Sequence, residues 1–168
     1  HTSTTNQLTQ ISMTMLAPSA PEASRPQPSP QSLPVNISKS QNINGIHTDI
    51  LLQCFSDRTF VVITQVGKVG NLLSCSIEES EIDGSKTYNV STLLGKRDDA
   101  LLELCARKVA ENIYAHEMGQ SVGGIGALSL VPPLLLGITL KEGGRDTAAF
   151  KEMINLVLEL YVQIRPRR

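Results

Sequence analysis

Residues 59–77, Thr-Phe-Val-Val-Ile-Thr-Gln-Val-Gly-Lys-Val-Gly-Asn-Leu-Leu-Ser-Cys-Ser-Ile, leave a folding chain few options. Phe60, Val61, Val62, Ile63 and Val66 are β-branched or aromatic, and such a run suits a pleated, well-buried strand. Gly67 and Gly70 supply backbone freedom where a side chain would clash at positive φ. Leu72, Leu73, Cys75 and Ile77 then carry a return strand. The expectation is a hairpin with a tight Gly-Lys-Val-Gly turn, at the centre of a sheet.

The flanking sequence extends that sheet. Residues 35–38 read as a short edge strand, followed by a turn at Asn42-Ile-Asn-Gly45. Residues 46–55 read as a strand with Ile50, Leu52 and Cys54 on one face and Asp49, Leu51 and Gln53 on the other. Ser56-Asp57-Arg58 is a polar hairpin turn. Asp83-Gly84 marks another turn, before a strand over residues 87–93. Short polar turns favour antiparallel neighbours, because parallel ones need long crossovers.

The period then changes. Leu101, Leu102, Cys105, Val109 and Ile113 recur at helical spacing over residues 100–117, with Asp98 or Asp99 as N-cap and Gly119 as stop. Residues 134–140 form a short apolar run consistent with a strand covered on both faces. Asp146 or Thr147 caps a second helix, whose stripe is Phe150, Met153, Ile154, Val157, Leu160 and Tyr161. The fold class is α+β: an antiparallel sheet or small β-sandwich covered by two helices. Aromatics are only 4% of the chain and Trp is absent, so the core must come from Leu, Ile, Val and Ala.

Residues 1–34 differ from the rest. They hold six of the nine prolines, much Ser and Thr, and only Glu22 and Arg25 as side chains charged at pH 7. Such a segment buries too little apolar surface to offset its ordering entropy and reads as a disordered tail. Its apolar patch, residues 11–17, is short and has no preceding positive charge, unlike a signal peptide or membrane span. Met13 or Met15 would serve as a natural start. Residues 35–164 read as the folded domain, and 165–168 as a basic tail.

A search for chemistry ends empty. Gly67-Lys68 suggests a phosphate loop, but GxxxxGK[ST] is incomplete and Val69 stands where the metal-binding hydroxyl should be. Gly123, Gly124 and Gly126 do not complete GxGxxG, because Ser129 takes the third position. His1, His47 and His116 are scattered, and His116-Glu117 is not HExxH. Glu78, Glu79, Glu81 and Asp83 lack the spacing and internal glycine of a calcium loop. Cys54, Cys75 and Cys105 are widely spaced within apolar runs, which excludes a zinc pattern and points to a reducing compartment, cytosolic or nuclear. In that setting the sequons at Asn36 and Asn89 are accidental. A net charge of −1 argues against nucleic acid and against a basic membrane-binding patch. No catalytic, cofactor or metal site is expected.

The central stretch carries a resemblance. Val61-Val-Ile-Thr-Gln-Val-Gly-Lys-Val-Gly70 resembles the V-T-Q-x-G-K-x-G segment of the proteasome assembly chaperone three family. In order after it, Ser91-Thr-Leu-Leu-Gly95 is similar to that family's V-L-L-G strand end. Residues 98–114 resemble its acidic-capped helix, 134–140 its later apolar strand and 150–161 its last helix. The similarity spans roughly residues 36–163. The proline-rich tail lies outside the family core, and residues 123–133 look like an insertion. The Arg-Pro-Arg-Arg ending differs from the hydrophobic-Tyr-X tail of the chaperone one and two families.

The resemblance implies a non-catalytic chaperone that pairs with a related proteasome assembly chaperone four. The pair binds proteasome α subunits, guides α-ring assembly without ATP, and leaves before maturation. Gln65 and Lys68 are its candidate protein-binding residues, and Gly67 and Gly70 its structural turn. A small α+β scaffold or trafficking adaptor is the alternative.

Overall fold

A computed structural model of the chain describes residues 34–80, 82–119 and 131–165. The expected tail at residues 1–34 lies outside them apart from Pro34. So do most of the 123–133 segment, Glu81 and the last three residues of the basic tail.

The described residues form one six-stranded sheet and two helices. In chain order they are β1 (Val35–Ile43), β2 (Ile46–Cys54), β3 (Thr59–Thr64), β4 (Asn71–Glu79), β5 (Lys86–Leu94), α1 (Ala100–Met118), β6 (Leu134–Thr139) and α2 (Thr147–Ile164). The strand order is β1-β2-β3-β6-β4-β5. Every pair is antiparallel except β3 with β6.

Two expectations are corrected. β1 is nine residues long and pairs with β2 along its whole length, because its alternating pattern continues past Ser38 to Ile43. The β1–β2 turn is Asn44-Gly45, with φ 49° and 77°, the doubly positive geometry of a type I′ hairpin. More consequentially, β3 and β4 are not a hairpin: β6 lies between them, parallel to β3 and antiparallel to β4. Neighbouring strands sit ~4.8 Å apart, so residues 65–70 bridge about twice that distance across the end of β6. A six-residue glycine-containing loop fits either connection. What decides is β6, whose near-continuous apolar run suits an interior strand of a sheet and which pairs with β3 on one edge and β4 on the other.

One face of the sheet holds the core. Leu52, Val61, Leu136 and Leu73 are aligned across β2, β3, β6 and β4, and none exceeds 1% exposure. Onto this face α2 packs over β1 and β2, and α1 over β4, β5 and β6. α2 brings Phe150, Met153, Val157, Leu160 and Tyr161, and α1 brings Leu102, Cys105, Val109 and Ile113. Each such aliphatic side chain contributes about 1.5–3 kcal/mol when fully buried.

The helices run parallel. Asp99 caps α1 by accepting from the Leu102 amide, and Asp146 caps α2 by accepting from Ala149 at 2.8 Å. Arg145, one residue before the α2 cap, donates to both carboxylate oxygens of Asp99 at 2.8 and 2.6 Å, joining the two N-termini. At the other end the Tyr161 hydroxyl donates to Glu117 at 2.7 Å, and its ring meets His116 edge-on.

Candidate protein-binding surface

The other face of the sheet carries neither helix. Because side chains alternate across a strand, the register places Gln53, Phe60, Leu135, Ser74 and Ser91 in one row on this face. The neighbouring row is Ser38, Leu51, Val62, Gly137 and Leu72. Leu51, Phe60, Val62, Leu72 and Leu135 are half-buried and stand outside the core cluster. Val69 reaches from the β3–β4 loop over Gly137, where an added Cβ would lie 3.1 Å from it. At the far side a bulge opposite Leu72/Leu73 leaves Leu93 and Leu94 58% and 61% exposed. The result is an apolar strip crossing the middle of the sheet, flanked by Ser38, Ser40, Asp49, Gln53, Ser74 and Ser91. An apolar centre with a polar rim is the anatomy of a protein interface.

The β3–β4 loop borders this face, and its sequence explains its shape. The Thr64 hydroxyl accepts from the amides of Val66 and Lys68, both at 3.2 Å, and donates to the Lys68 carbonyl at 2.9 Å. Gly67 sits at φ 71°, where only glycine is unstrained. The Gly70 amide donates to the Thr139 hydroxyl, and a Cβ there would lie 3.1 Å from that oxygen.

The two candidate contact residues are placed differently. Gln65 is only 6% exposed: its amide nitrogen donates to Thr48 at 3.1 Å, and its oxygen accepts from the Lys141 backbone at 2.9 Å. It therefore ties the loop to β2 and to the β6–α2 connection, with little surface left for a partner. Lys68 is exposed at the loop tip and makes no ion pair among the described residues.

The titratable groups have structural explanations. Burial raises all three thiols, pushing Cys75 up to about 11 and Cys105 to about 12, far from the depressed values of reactive cysteines. Asp83 is held down to about 2 by hydrogen bonds from Ser80 and Ser85, so it serves the β4–β5 turn. His47 faces Asp49 at 3.0 Å, both side chains reaching solvent from β2. Among the described residues no cluster of His, Cys, Asp or Glu could hold a metal ion, and no helix is long and apolar enough to cross a membrane.

Reading the sequence alone missed the strip. Its signal was present in Phe-Val-Val-Ile and Leu-Leu-Leu-Gly-Ile, which are apolar at consecutive positions and so supply both faces.

The model of the family "Proteasome assembly chaperone 3" matches residues 61–159, more than half of the chain. The chain belongs to the proteasome assembly chaperone 3 family. That match runs from β3 into α2 and takes in the loop, the central strand β6 and most of the apolar strip. The chain is 42% identical over 119 residues to proteasome assembly chaperone 3 of Nematostella vectensis, covering 66% of this chain and 78% of that protein. It is 26% identical over 125 residues to the Mus musculus chaperone, covering 74% and 93%. Among solved structures it resembles a chain of a novel chaperone complex for yeast 20S proteasome assembly. There the TM-score is 0.56 at 13% identity, with 76% of this chain and 98% of that chain covered. At that identity the likeness concerns the fold alone.

Proposed function

We propose that this family member acts as one half of a two-chaperone complex. Its helix-free sheet face docks a related proteasome assembly chaperone four, and the pair holds proteasome α subunits during α-ring assembly. The observation that carries this reading is the apolar strip across the open face of a chaperone-family sheet. Six strands put about 24 Å between the outermost ones, on the scale of the ~800 Å² per partner of a standard interface. Lys68, at the border of that face, is a candidate contact, and Gln65 supports it from beneath. The mechanism needs no catalytic group and no ATP. It holds subunits by surface complementarity and yields when later subunits claim overlapping surface. Its place is the cytosol and the nucleus.

The test is recovery of the tagged full chain from cells, beside its Val62→Glu variant. The wild type should bring down a chaperone-four-like partner and free α subunits. The variant, with a charge in the strip, should lose the partner while keeping a wild-type circular dichroism spectrum. Recovery of neither partner nor α subunits by the wild type refutes the proposal. So does a folded variant that retains the partner.

A further inference from the structure

On the opposite side of the sheet, the outer surface of the two helices is not closed. A cleft of about 420 Å³ opens between the N-terminal halves of α1 and α2. Its floor is apolar: Leu101 and Leu104 from α1, Phe150 and Ile154 from α2. Leu104 is 52% exposed and continues this apolar floor to the surface. Each helix adds a lysine and, four residues on, an asparagine: Lys108 and Asn112 from α1, Lys151 and Asn155 from α2. Among the described residues, the lysines are the only charged side chains lining the cleft. Lys108 pairs with Glu111 at 2.5 Å, whereas Lys151 makes no ion pair among the described residues.

These features select an occupant. The walls are two α-helices, whose backbone groups beyond the first turn are bonded within each helix. An extended segment laid in the cleft would lose water from its own amides and find few partners. A helix satisfies its backbone internally and enters a groove with side chains spaced at i and i+4. Lining residues 101–112 and 147–155 run about 12–17 Å along the axes, or two to three helical turns. Lys151, without an ion pair among the described residues, favours a carboxylate beside the apolar anchors, and Lys108 can exchange its exposed Glu111 pairing for a second one.

We propose that this cleft is a second protein-docking site. It takes an amphipathic acidic helix of another polypeptide, whose apolar side chains meet Leu104 and Phe150 and whose carboxylates meet Lys108 and Lys151. The site lies across the sheet from the strip, so both can be filled together, and the inference stands whether or not the strip docks a chaperone.

The probe is a displayed library of helix-biased peptides selected on the immobilised full chain. Selected sequences should carry apolar residues at i and i+4 and an excess of Asp and Glu. The best synthetic peptide should lose about tenfold or more in affinity to Leu104→Asp and to Lys108→Glu/Lys151→Glu. Its Glu-to-Lys counterpart should regain binding to the double variant. Leu104 is half exposed, so Leu104→Asp should fold as wild type, checked by circular dichroism. Val62→Glu, on the opposite face, should bind the peptide unchanged. The proposal is overturned if nothing is enriched or if basic or proline-containing extended sequences win. It also fails if Leu104→Asp binds like wild type, or if Val62→Glu abolishes binding.

Discussion

Replacing Gly144 with alanine should reveal how strongly the β3–β4 loop is tied to the rest of the molecule. Gly144 ends the short 3-10 turn Glu142–Gly144 and is buried against the Gln65 amide. A Cβ at this position would run into Gln65 Oε1, with Nε2 at 2.5 Å and Cδ at 2.7 Å. Gly144 is not among the positive-φ glycines, so the substitution tests the contact and not the backbone conformation. A glutamine usually swings aside at little cost. Gln65 is instead held at both ends, by Thr48 and by the Lys141 amide. Moving it gives up two hydrogen bonds of about 0.5–1.5 kcal/mol each and leaves buried polar atoms unpaired, so Gly144→Ala should cost about 2–4 kcal/mol. At roughly 3–4 °C per kcal/mol for a domain of this size, the melting temperature should fall by about 6–16 °C. Urea denaturation followed by circular dichroism measures this directly. In a Gln65→Ala background the obstructing amide is gone, so Gly144→Ala should cost at least about 1.5 kcal/mol less, a coupling within the range for residues in contact. A Gly144→Ala protein within about 0.5 kcal/mol of wild type, or strict additivity in the cycle, would refute the reasoning.

Two further outcomes follow from the same accounting. Arg145 beside Asp99 is the main cause holding that carboxyl below its ordinary 3.8. A depressed folded value means the stabilisation is complete above the ordinary value and is lost as pH falls through the folded one. Wild type should therefore lose stability below about pH 4 more steeply than Arg145→Gln, as measured by urea midpoints from pH 7 to 2; parallel curves would show the pair to be inert. Cys54, Cys75 and Cys105 are buried and their thiols raised, so a chromogenic disulfide reagent at pH 8 should find none in the native protein and all three in guanidinium. A rapidly reacting native thiol would contradict their burial.

Local chemistry was well written in the sequence. The two helix starts, each narrowed to a pair of cap residues from which the structure takes Asp99 and Asp146, the turn ending at Gly45 and the apolar stripe of α2 were legible because each depends on residues a few positions apart. The pairing of β3 with β6 was not, because it depends on a strand far along the chain and no local pattern encodes it. The same distance hid the open strip. Phe60 and Val62 had no visible reason to be apolar opposite Val61 and Ile63 until β6 set Leu135 beside Phe60 and brought Leu72 across Gly137 from Val62. Gln65 shows the reverse error. A polar residue in an exposed-looking loop reads as a contact, yet its amide is enclosed by Thr48 of β2 and by Lys141 and Gly144 of the β6–α2 connection, two other segments of the chain.

The late arrival of β6 also governs how the molecule can be made. β1 to β3 can pair as they leave the ribosome, and so can β4 with β5, but these are two separate sheets until Leu134–Thr139 joins them. Thr59 waits for Leu134, and at roughly 5–20 residues per second that wait lasts several seconds. Throughout it the inner edges of β3 and β4, two apolar segments, face solvent without partners, the condition in which strands join the wrong neighbours. Closure by a distant strand is also intrinsically slow. A nascent chain halted before residue 134 would hold most of the sheet's strands and none of its continuity, so synthesis of this assembly factor passes through a stage that itself needs guarding.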